Sequence, residues 1–178
     1  MNIRVNNHIH LELLRTELAP ALYALVDANR AYLREWLPWL DRTRSVTDVE
    51  NFIHVVMRQY DSGLGPQYAL FYRGVLCGVN GFHRIDTANR RAALGYWLDQ
   101  GCTGRGIMTL TTRELLGIGF GEYRLNKIEI HCAVDNTRSR AIPERLGFTR
   151  EAVLREQEWL YTRYVDHVIY SLLATEFR

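Results

Sequence analysis

The order of hydrophobic patterns along the chain predicts an α/β fold, in the α+β arrangement, built on one mixed and mostly antiparallel sheet. About seven segments alternate or run apolar over strand length, and about four repeat their apolar residues at helical spacing. Strands mixed with helices in this order are typical of a single layered domain. The predicted strands cover residues 8–15, 67–72, 75–83, 91–98, 127–134, 148–161 and 166–173, and the predicted helices begin near residues 17, 45, 107 and 136.

Start and stop signals place the boundaries of these elements. Apolar residues recur at helical spacing over 17–40, as far as Pro38 allows. Ser45 opens the second helix with good capping chemistry, and the stretch 63–66, rich in Gly and Pro, ends it. Turn residues at 86–89 separate two strands. The sequence has no repeats, low-complexity tracts or linkers, which predicts one domain over residues 1–178.

Composition excludes several classes of function. The 178 residues are 47% apolar and 24% charged, as in an ordinary globular domain. A net charge of +2 is too small to drive binding to nucleic acid or to a membrane surface. Cys77, Cys102 and Cys132 form no CxxC pair and no metal spacing, so we expect free thiols and no metal site. The sequence has no apolar signal core and no membrane-length run, which predicts a cytoplasmic protein.

The most informative stretch is the glycine loop at 99–109, which lies between a predicted strand and a predicted helix. Gly104 and Gly106 allow the backbone to approach a ligand closely and to turn several N–H groups toward it. Residues 107–112 contain no Asp or Glu, so nothing negative competes with an anion at the helix start. The alternative is an ordinary strand-to-helix turn. The pattern favours a phosphate-bearing ligand.

Several motifs occur in an order that resembles the GNAT acetyltransferases. They are Gly95-Tyr-Trp-Leu98, Gly104-Arg-Gly-Ile107, Asp135-Asn-Thr-Arg-Ser139 and Glu144-Arg-Leu-Gly-Phe148. Trp36-Leu-Pro-Trp39 and Asp166-His-Val-Ile-Tyr170 are similar to the RimJ/RimL branch, which acetylates the N-termini of ribosomal proteins. The resemblance covers nearly the whole chain and implies a central mixed sheet, splayed in a V where acetyl-CoA enters.

The resemblance also implies how acetyl-CoA is held. Backbone amides of the glycine loop would bind its pyrophosphate, through Thr103, Gly104, Arg105, Gly106 and Ile107. The strand ending Tyr96-Trp97-Leu98 would present its backbone to the pantetheine arm and the thioester, although Trp97 could equally be a core residue. Asn136 would contact the coenzyme, with helix capping as the alternative. The family's leading Gln or Arg is replaced here by Gly101, with Gln100 one residue early.

Two side chains are implied to carry the chemistry. Many GNAT enzymes have a Tyr that acts as general acid at the position of Pro143. A proline side chain has no proton to donate. In the RimL type, a Ser at the position of Ser139 protonates the leaving thiolate. The resemblance implies that Ser139 also contacts the coenzyme. Glu158 matches the general base, with a solvated surface glutamate as the alternative. By alternation, Glu156 would share its strand face and could be confused with it.

The acceptor is less determined by the sequence. Glu35 is a rival carboxylate that could hold a substrate ammonium, and Trp36 would be groove wall or core. The family-typical acceptor is a protein N-terminus. A small amine such as a polyamine, amino acid or antibiotic, or a non-catalytic module that binds acetyl-CoA, stays open, as does a homodimer. A covalent route through Cys102 is a further alternative, because a thiol at a helix start would have a lowered pKa.

Overall fold

The computed structural model describes residues 2–178 and contains one eight-stranded sheet with five α-helices. The strands are β1 Asn2–Arg4, β2 Ile9–Leu13, β3 Gln67–Tyr72, β4 Val75–Phe82, β5 Arg91–Leu98, β6 Lys127–Ala133, β7 Thr149–Leu160 and β8 Arg163–Leu173. The helices are α1 Ala19–Ala28, α2 Arg30–Arg34, α3 Val46–Asp61, α4 Ile107–Gly121 and α5 Thr137–Arg145. Short 3₁₀ turns occur at Thr16–Leu18, Leu40–Arg42 and Gln100–Cys102. The α/β prediction is confirmed.

Two local predictions differ from the structure. Strand β1 was not expected, because three residues are too few to show a period; it pairs with β2 through Ile3 and Leu11. The single helix expected over 17–40 is wrong. It breaks at Asn29, whose amide donates to the carbonyl of Leu25 at 3.0 Å and whose oxygen accepts from Gln100 N–H at 3.0 Å. A side chain that competes with the helical ladder is a common cause of such a break.

The sheet has the order β1-β2-β3-β4-β5-β6-β8-β7 and is antiparallel at every step except one. Strands β5 and β6 run parallel and pair at four positions, from Arg91 with Lys127 to Leu94 with Ile130. Beyond Leu94 the two strands separate, while β5 continues to pair with β4 and β6 with β8. The sheet is therefore splayed between β5 and β6, as the family resemblance implied.

Helices cover both faces of the sheet. On one face, α4 and α5 bury residues such as Leu115 and Ile142 against Leu94 and Ile130. On the other face, α1 and α3 pack on the N-terminal half of the sheet. That second cluster comprises Leu14, Ala19, Leu22, Val49, Ile53, Val56, Ala69 and Val79. None of the helices formed by residues 2–178 combines the length and the apolar character needed to span a membrane.

Candidate active site

The gap between β5 and β6 exposes backbone groups of β5. His83 N–H donates to Ala93 O at 2.8 Å and Asp99 N–H donates to Cys77 O at 2.7 Å. Because hydrogen-bonding direction alternates along a strand, the backbone groups of Tyr96 and Leu98 point away from β4, toward the gap. A polar chain lying in the gap could pair with them as a strand would.

The backbone of Trp97 faces the other way, and its side chain has a packing role. By the same alternation its N–H and C=O belong to the β4 side. The indole lies 6.2 Å from the ring of Trp39, between the clusters under α1 and α2. The alternative that Trp97 is mainly a core residue is therefore the better description, although the side chain also lines the cleft.

A cleft of about 1160 Å³ opens at this end of the sheet. It gathers most of the predicted site in one place. Its lining includes Glu35, Trp36, Tyr96, Trp97, Leu98, Thr103, Gly104, Arg105, Gly106, Ile107, Asn136 and Ser139. Of the predicted site residues, Glu158 is not part of that lining.

The glycine loop forms one wall of the cleft and needs its glycines for conformation. Gly104 has φ of 76° and Gly106 has φ of 73°, in the left-handed region that side chains rarely adopt. No heavy atom of the chain lies within 4 Å of where a Cβ would stand at either position, so the space before the loop is open. Gly106 begins α4 without a side-chain cap and without an acid in the first turn, which leaves the helix amides for an anion.

Arginines add positive charge to the same cleft. Arg138 and Arg145 of α5 join Arg105 of the loop in its lining. Arg145 also donates to the hydroxyl of Thr109 on α4, at 3.4 Å. Arg138 and Arg145 were not predicted as site residues, although Arg138 lies within the Asp135–Ser139 motif and Arg145 follows it in the next turns of the same helix. Gln100 lines the cleft in place of the glycine at the family's leading position.

The start of α5 holds Ser139 in a defined environment. The side-chain oxygen of Asn136 accepts from Ser139 N–H at 3.1 Å, so the capping role of Asn136 is present. The hydroxyl of Tyr96 donates to the carbonyl of Ser139 at 3.1 Å, and Ser139 Oγ donates to that same hydroxyl at 3.4 Å. Ser139 thus lies at the cleft with its backbone fixed on both sides.

Glu158 lies on β7, opposite Val165 of β8. Its Oε2 is 3.4 Å from Nε2 of His167, which is buried and has no hydrogen-bond partner among residues 2–178. Trp36 packs against a cluster formed by Ala133, Leu160 and Val165. Glu158 is therefore outside the cleft lining, on the strand that borders the wall carrying Trp36.

The expectation that Glu156 shares a face with Glu158 is wrong. The pairing of β7 with β8 shifts between Leu154 and Glu158, which forms a bulge. Glu156 lies in it with φ of 50°, and its N–H donates to the carboxylate of Asp166 at 2.8 Å. Alternation does not hold across a bulge, so the two glutamates stand in different environments: Glu156 is exposed and Glu158 is half-buried.

A tyrosine in the turn after β7 contacts the wall of the cleft that carries Trp36. Tyr161 donates its hydroxyl to the carbonyl of Leu37 at 2.6 Å. The guanidinium of Arg34 lies 3.7 Å from the centre of the Tyr161 ring and pairs with Asp41 at 2.9 Å. Tyr161 itself has φ of 59°, an unfavourable conformation for a bulky residue. These contacts, which we call the Tyr161 latch, join the segment carrying Trp36 to the β7–β8 hairpin.

The environment of Cys102 does not suit a nucleophile. Burial and the hydrogen bond and charge of Asp99 raise the pKa of the Cys102 thiol above its ordinary value. The lowered pKa considered from sequence is therefore wrong, because burial and the carboxylate of Asp99 outweigh the lowering contributions of Cys77 and Arg105.

Comparison with known families agrees with this geometry. The family described as "Acetyltransferase (GNAT) domain" matches residues 8–149. The chain belongs to the GNAT acetyltransferases, and acetyl transfer to an amine is its activity class.

Individual relatives match over nearly their full length. The "Putative ribosomal N-acetyltransferase YdaF" of Bacillus subtilis (strain 168) is 38% identical over 98% of this chain and 96% of its own. The solved structure of RimL, a ribosomal L7/L12 α-N-protein acetyltransferase in complex with coenzyme A, superimposes with a TM-score of 0.94 at 28% identity, covering 97% of this chain and 98% of that one. The microcin C7 self-immunity acetyltransferase MccE, in complex with acetyl-CoA and AMP, gives 0.89 at 31% identity, covering 95% and 94%.

Proposed function

We propose that this protein transfers the acetyl group of acetyl-CoA directly to the N-terminal α-amine of a protein, with a ribosomal protein as the family-typical acceptor. The observation that carries the proposal is the gap beside β5, where the backbone groups of Tyr96 and Leu98 point toward the opening next to the glycine loop. Coenzyme A and acetyl-CoA in the RimL and MccE structures support the choice of donor. A cytoplasmic location belongs to the same proposal, since the donor and newly made ribosomal proteins meet there.

The donor would be held by backbone more than by side chains. The amides of residues 103–107 would receive the pyrophosphate, and Arg138 and Arg145 would balance its charge. Tyr96 and Leu98 would pair with the amides of the pantetheine arm. This arrangement would place the thioester in the gap between β5 and β6, beside Ser139.

The chemistry then needs a neutral amine and a way to release the thiolate. An α-amine has a pKa near 8 and a lysine amine near 10.4, so an N-terminus loses its proton more easily. The amine nitrogen forms a bond to the thioester carbon, and Glu158 accepts the amine proton directly or through a water. When the tetrahedral intermediate collapses, the C–S bond breaks and Ser139 gives its hydroxyl proton to the thiolate. The proton held by Glu158 is then released to water, and Ser139 takes a proton back from water, which restores both groups. The products are an acetamide and free coenzyme A.

The acceptor would enter beside the wall that carries Glu35 and Trp36. Glu35 is exposed at the cleft, where a carboxylate can attract an ammonium group before it is deprotonated. Trp36 supplies an apolar surface between the cleft and the strand of Glu158.

A second candidate acceptor is a small-molecule amine. The likeness to MccE, whose structure also contains AMP, favours this alternative, because the same fold there accommodates a nucleotide besides acetyl-CoA. Both candidates use the same donor site, so the wall around Glu35 and Trp36 would decide between them.

The test is an acetyl-transfer screen that measures release of free coenzyme A thiol. Peptides with free N-termini are compared with the same peptides blocked at the N-terminus and with a set of polyamines, amino acids and aminoacyl nucleotides. We expect thiol release with free peptides and none with blocked ones. Activity on small amines alone would replace the first proposal by the second, and no release with any amine would refute both.

A further inference from the structure

A proline inside α5 leaves one backbone carbonyl of the helix without its usual donor. Pro143 lies four residues after Ser139, and a proline nitrogen carries no hydrogen. The carbonyl of Ser139 therefore lacks the i+4 N–H that an ordinary helix would supply. The hydroxyl of Tyr96, from the neighbouring strand β5, donates to this carbonyl at 3.1 Å instead.

All three polar groups of Ser139 have partners as a result. Its N–H donates to Asn136, its carbonyl accepts from Tyr96, and its own hydroxyl donates to the Tyr96 oxygen at 3.4 Å. Two residues from different elements thus fix the backbone of Ser139. The long hydroxyl contact leaves that proton able to turn to another acceptor.

We infer that Tyr96 is a positioning residue for Ser139, and that Pro143 makes this possible by freeing the carbonyl that Tyr96 holds. The inference rests on the proposed role of Ser139 as the group that protonates the leaving thiolate. Tyr96 would keep the serine hydroxyl at the cleft in one orientation until the thiolate forms.

The proton of Tyr96 is already engaged, because its hydroxyl donates to the carbonyl of Ser139 at 3.1 Å. Burial raises the pKa of this hydroxyl above the ordinary tyrosine value, so the group stays protonated and keeps its role as a donor to the carbonyl. A double-mutant cycle separates this indirect role from general support of the fold.

The kinetic test compares Tyr96→Phe in two backgrounds. With Ser139 present, losing the hydroxyl should lower kcat between about threefold and tenfold, with both KM values little changed. In the Ser139→Ala background the same substitution should have almost no further effect, because there is no serine hydroxyl left to position. Equal losses in both backgrounds would overturn the inference, and so would a Ser139→Ala variant with unchanged kcat.

The stability test uses Pro143→Ala and does not depend on activity. Tyr96→Phe leaves the Ser139 carbonyl without a donor and should lower the melting temperature by about 2–4 °C. Pro143→Ala restores a backbone N–H that can reach this carbonyl. In the Pro143→Ala background, Tyr96→Phe should therefore lower the melting temperature by less than half as much as it does in the wild type. A loss that is independent of Pro143 would overturn the proline half of the inference.

Tyr170→Phe is the matched control. Tyr170 also reaches from the sheet to α5, where its hydroxyl donates to Glu144 at 2.5 Å and accepts from Arg140 at 3.1 Å. Ser139 instead makes hydrogen bonds with Asn136 and Tyr96. Tyr170→Phe should lower stability but should not produce a kcat loss that disappears in the Ser139→Ala background. A kcat loss of the same size and the same dependence on Ser139 would overturn the assignment to Tyr96. If the wild type acetylates no amine, the proposed function fails, and the melting temperatures still decide whether Tyr96 holds this carbonyl.

Discussion

The carboxylate of Glu158 lies 3.4 Å from His167, its one ion-pair partner among residues 2–178, and its neighbour across the β7–β8 pairing is the apolar Val165. Its neighbour Glu156 is turned out of the strand pattern by the bulge. At the scale of single residues, two glutamates that the sequence could not separate have distinct positions, and this difference can be measured.

Glu158→Gln tests the general base. If Glu158 accepts the amine proton, the substitution should lower kcat by roughly 10² or more and leave the acetyl-CoA dissociation constant unchanged. Steady-state kinetics and calorimetric titration measure the two quantities.

Glu156→Gln is the control for that experiment, since it removes the same charge two residues away. Its effect on kcat should be small, because the side chain is exposed in the bulge. Equally small effects of both substitutions on kcat would mean that Glu158 is not the general base, and Glu35 or a water relay would be the next candidate.

Gly104→Val tests the glycine loop. A side chain at Gly104 would stand in the open space where the pyrophosphate is proposed to lie, and φ of 76° disfavours it as well. The affinity for acetyl-CoA, measured by titration calorimetry, should fall by at least about tenfold, or ~1.4 kcal/mol.

Gly74→Val separates blocking from backbone strain. Gly74 has nearly the same φ, 79°, and equally open surroundings, but it lies in the β3–β4 turn and is not part of the cleft lining. It should lower stability and leave acetyl-CoA binding intact. A matching loss of affinity in this variant would mean that strain alone explains the effect at Gly104.

At the scale of elements, the Tyr161 latch joins the β7–β8 hairpin to the segment after α2. The hairpin carries Glu158, and the segment carries Glu35 and Trp36. The unfavourable φ of Tyr161 is maintained by its contacts with Leu37 and Arg34. The latch therefore connects the strand of the proposed base to the proposed acceptor wall.

Tyr161→Phe tests the latch by removing one hydroxyl. The ring stays over Arg34, so the fold should persist, but the wall loses its hydrogen bond to the hairpin. We expect the KM for the acceptor to rise about two- to tenfold with no change in the KM for acetyl-CoA. Hydrogen exchange of amides 35–39 should become faster.

Tyr164→Phe provides the comparison within the same hairpin. Tyr164 is 58% exposed and makes an edge-to-face contact with Trp159. By alternation it lies on the opposite face of the hairpin from Val165, which packs against Trp36. Removal of its hydroxyl should alter neither KM nor the exchange of amides 35–39. The latch would be refuted if the two variants behaved alike.

Most elements could be predicted from sequence because their signals are local. The strands on either side of the splay and the glycine loop follow from alternation, apolar runs and two glycines with a left-handed conformation. The helix break at Asn29 could not be predicted from local signals, because it involves a hydrogen bond with Gln100, 71 residues away. The contact of Tyr161 with Leu37 spans 124 residues, and a bulge leaves no mark in a two-residue period.

At the scale of the whole molecule, both substrates would meet at one opening of the sheet. The raised pKa of Cys102 and its position outside the cleft lining disfavour a route through an acetylated cysteine. Acetyl transfer should therefore require both substrates together.

Initial rates measured at several acceptor concentrations should give intersecting lines, and intact mass should show no acetylated protein with acetyl-CoA alone. Cys102→Ala should retain most of its activity. Alkylation of Cys102 at neutral pH should be slower than that of a free cysteine and should accelerate at higher pH, because the raised pKa lowers the thiolate fraction. Parallel lines together with a stable mass gain on Cys102 would contradict direct transfer, although the family assignment would stand.

The gap between β5 and β6 also affects the stability of the sheet. Four residue pairs between β5 and β6 join the two halves of the sheet, and the rest of that seam is open. A pantetheine arm that pairs with Tyr96 and Leu98 would act as a splint across the seam, and binding to the folded state alone would stabilise it further as the ligand concentration rises. The donor would then govern how long the enzyme survives as well as how fast it works. In a cell depleted of acetyl-CoA, the protein would be easier to unfold and quicker to degrade.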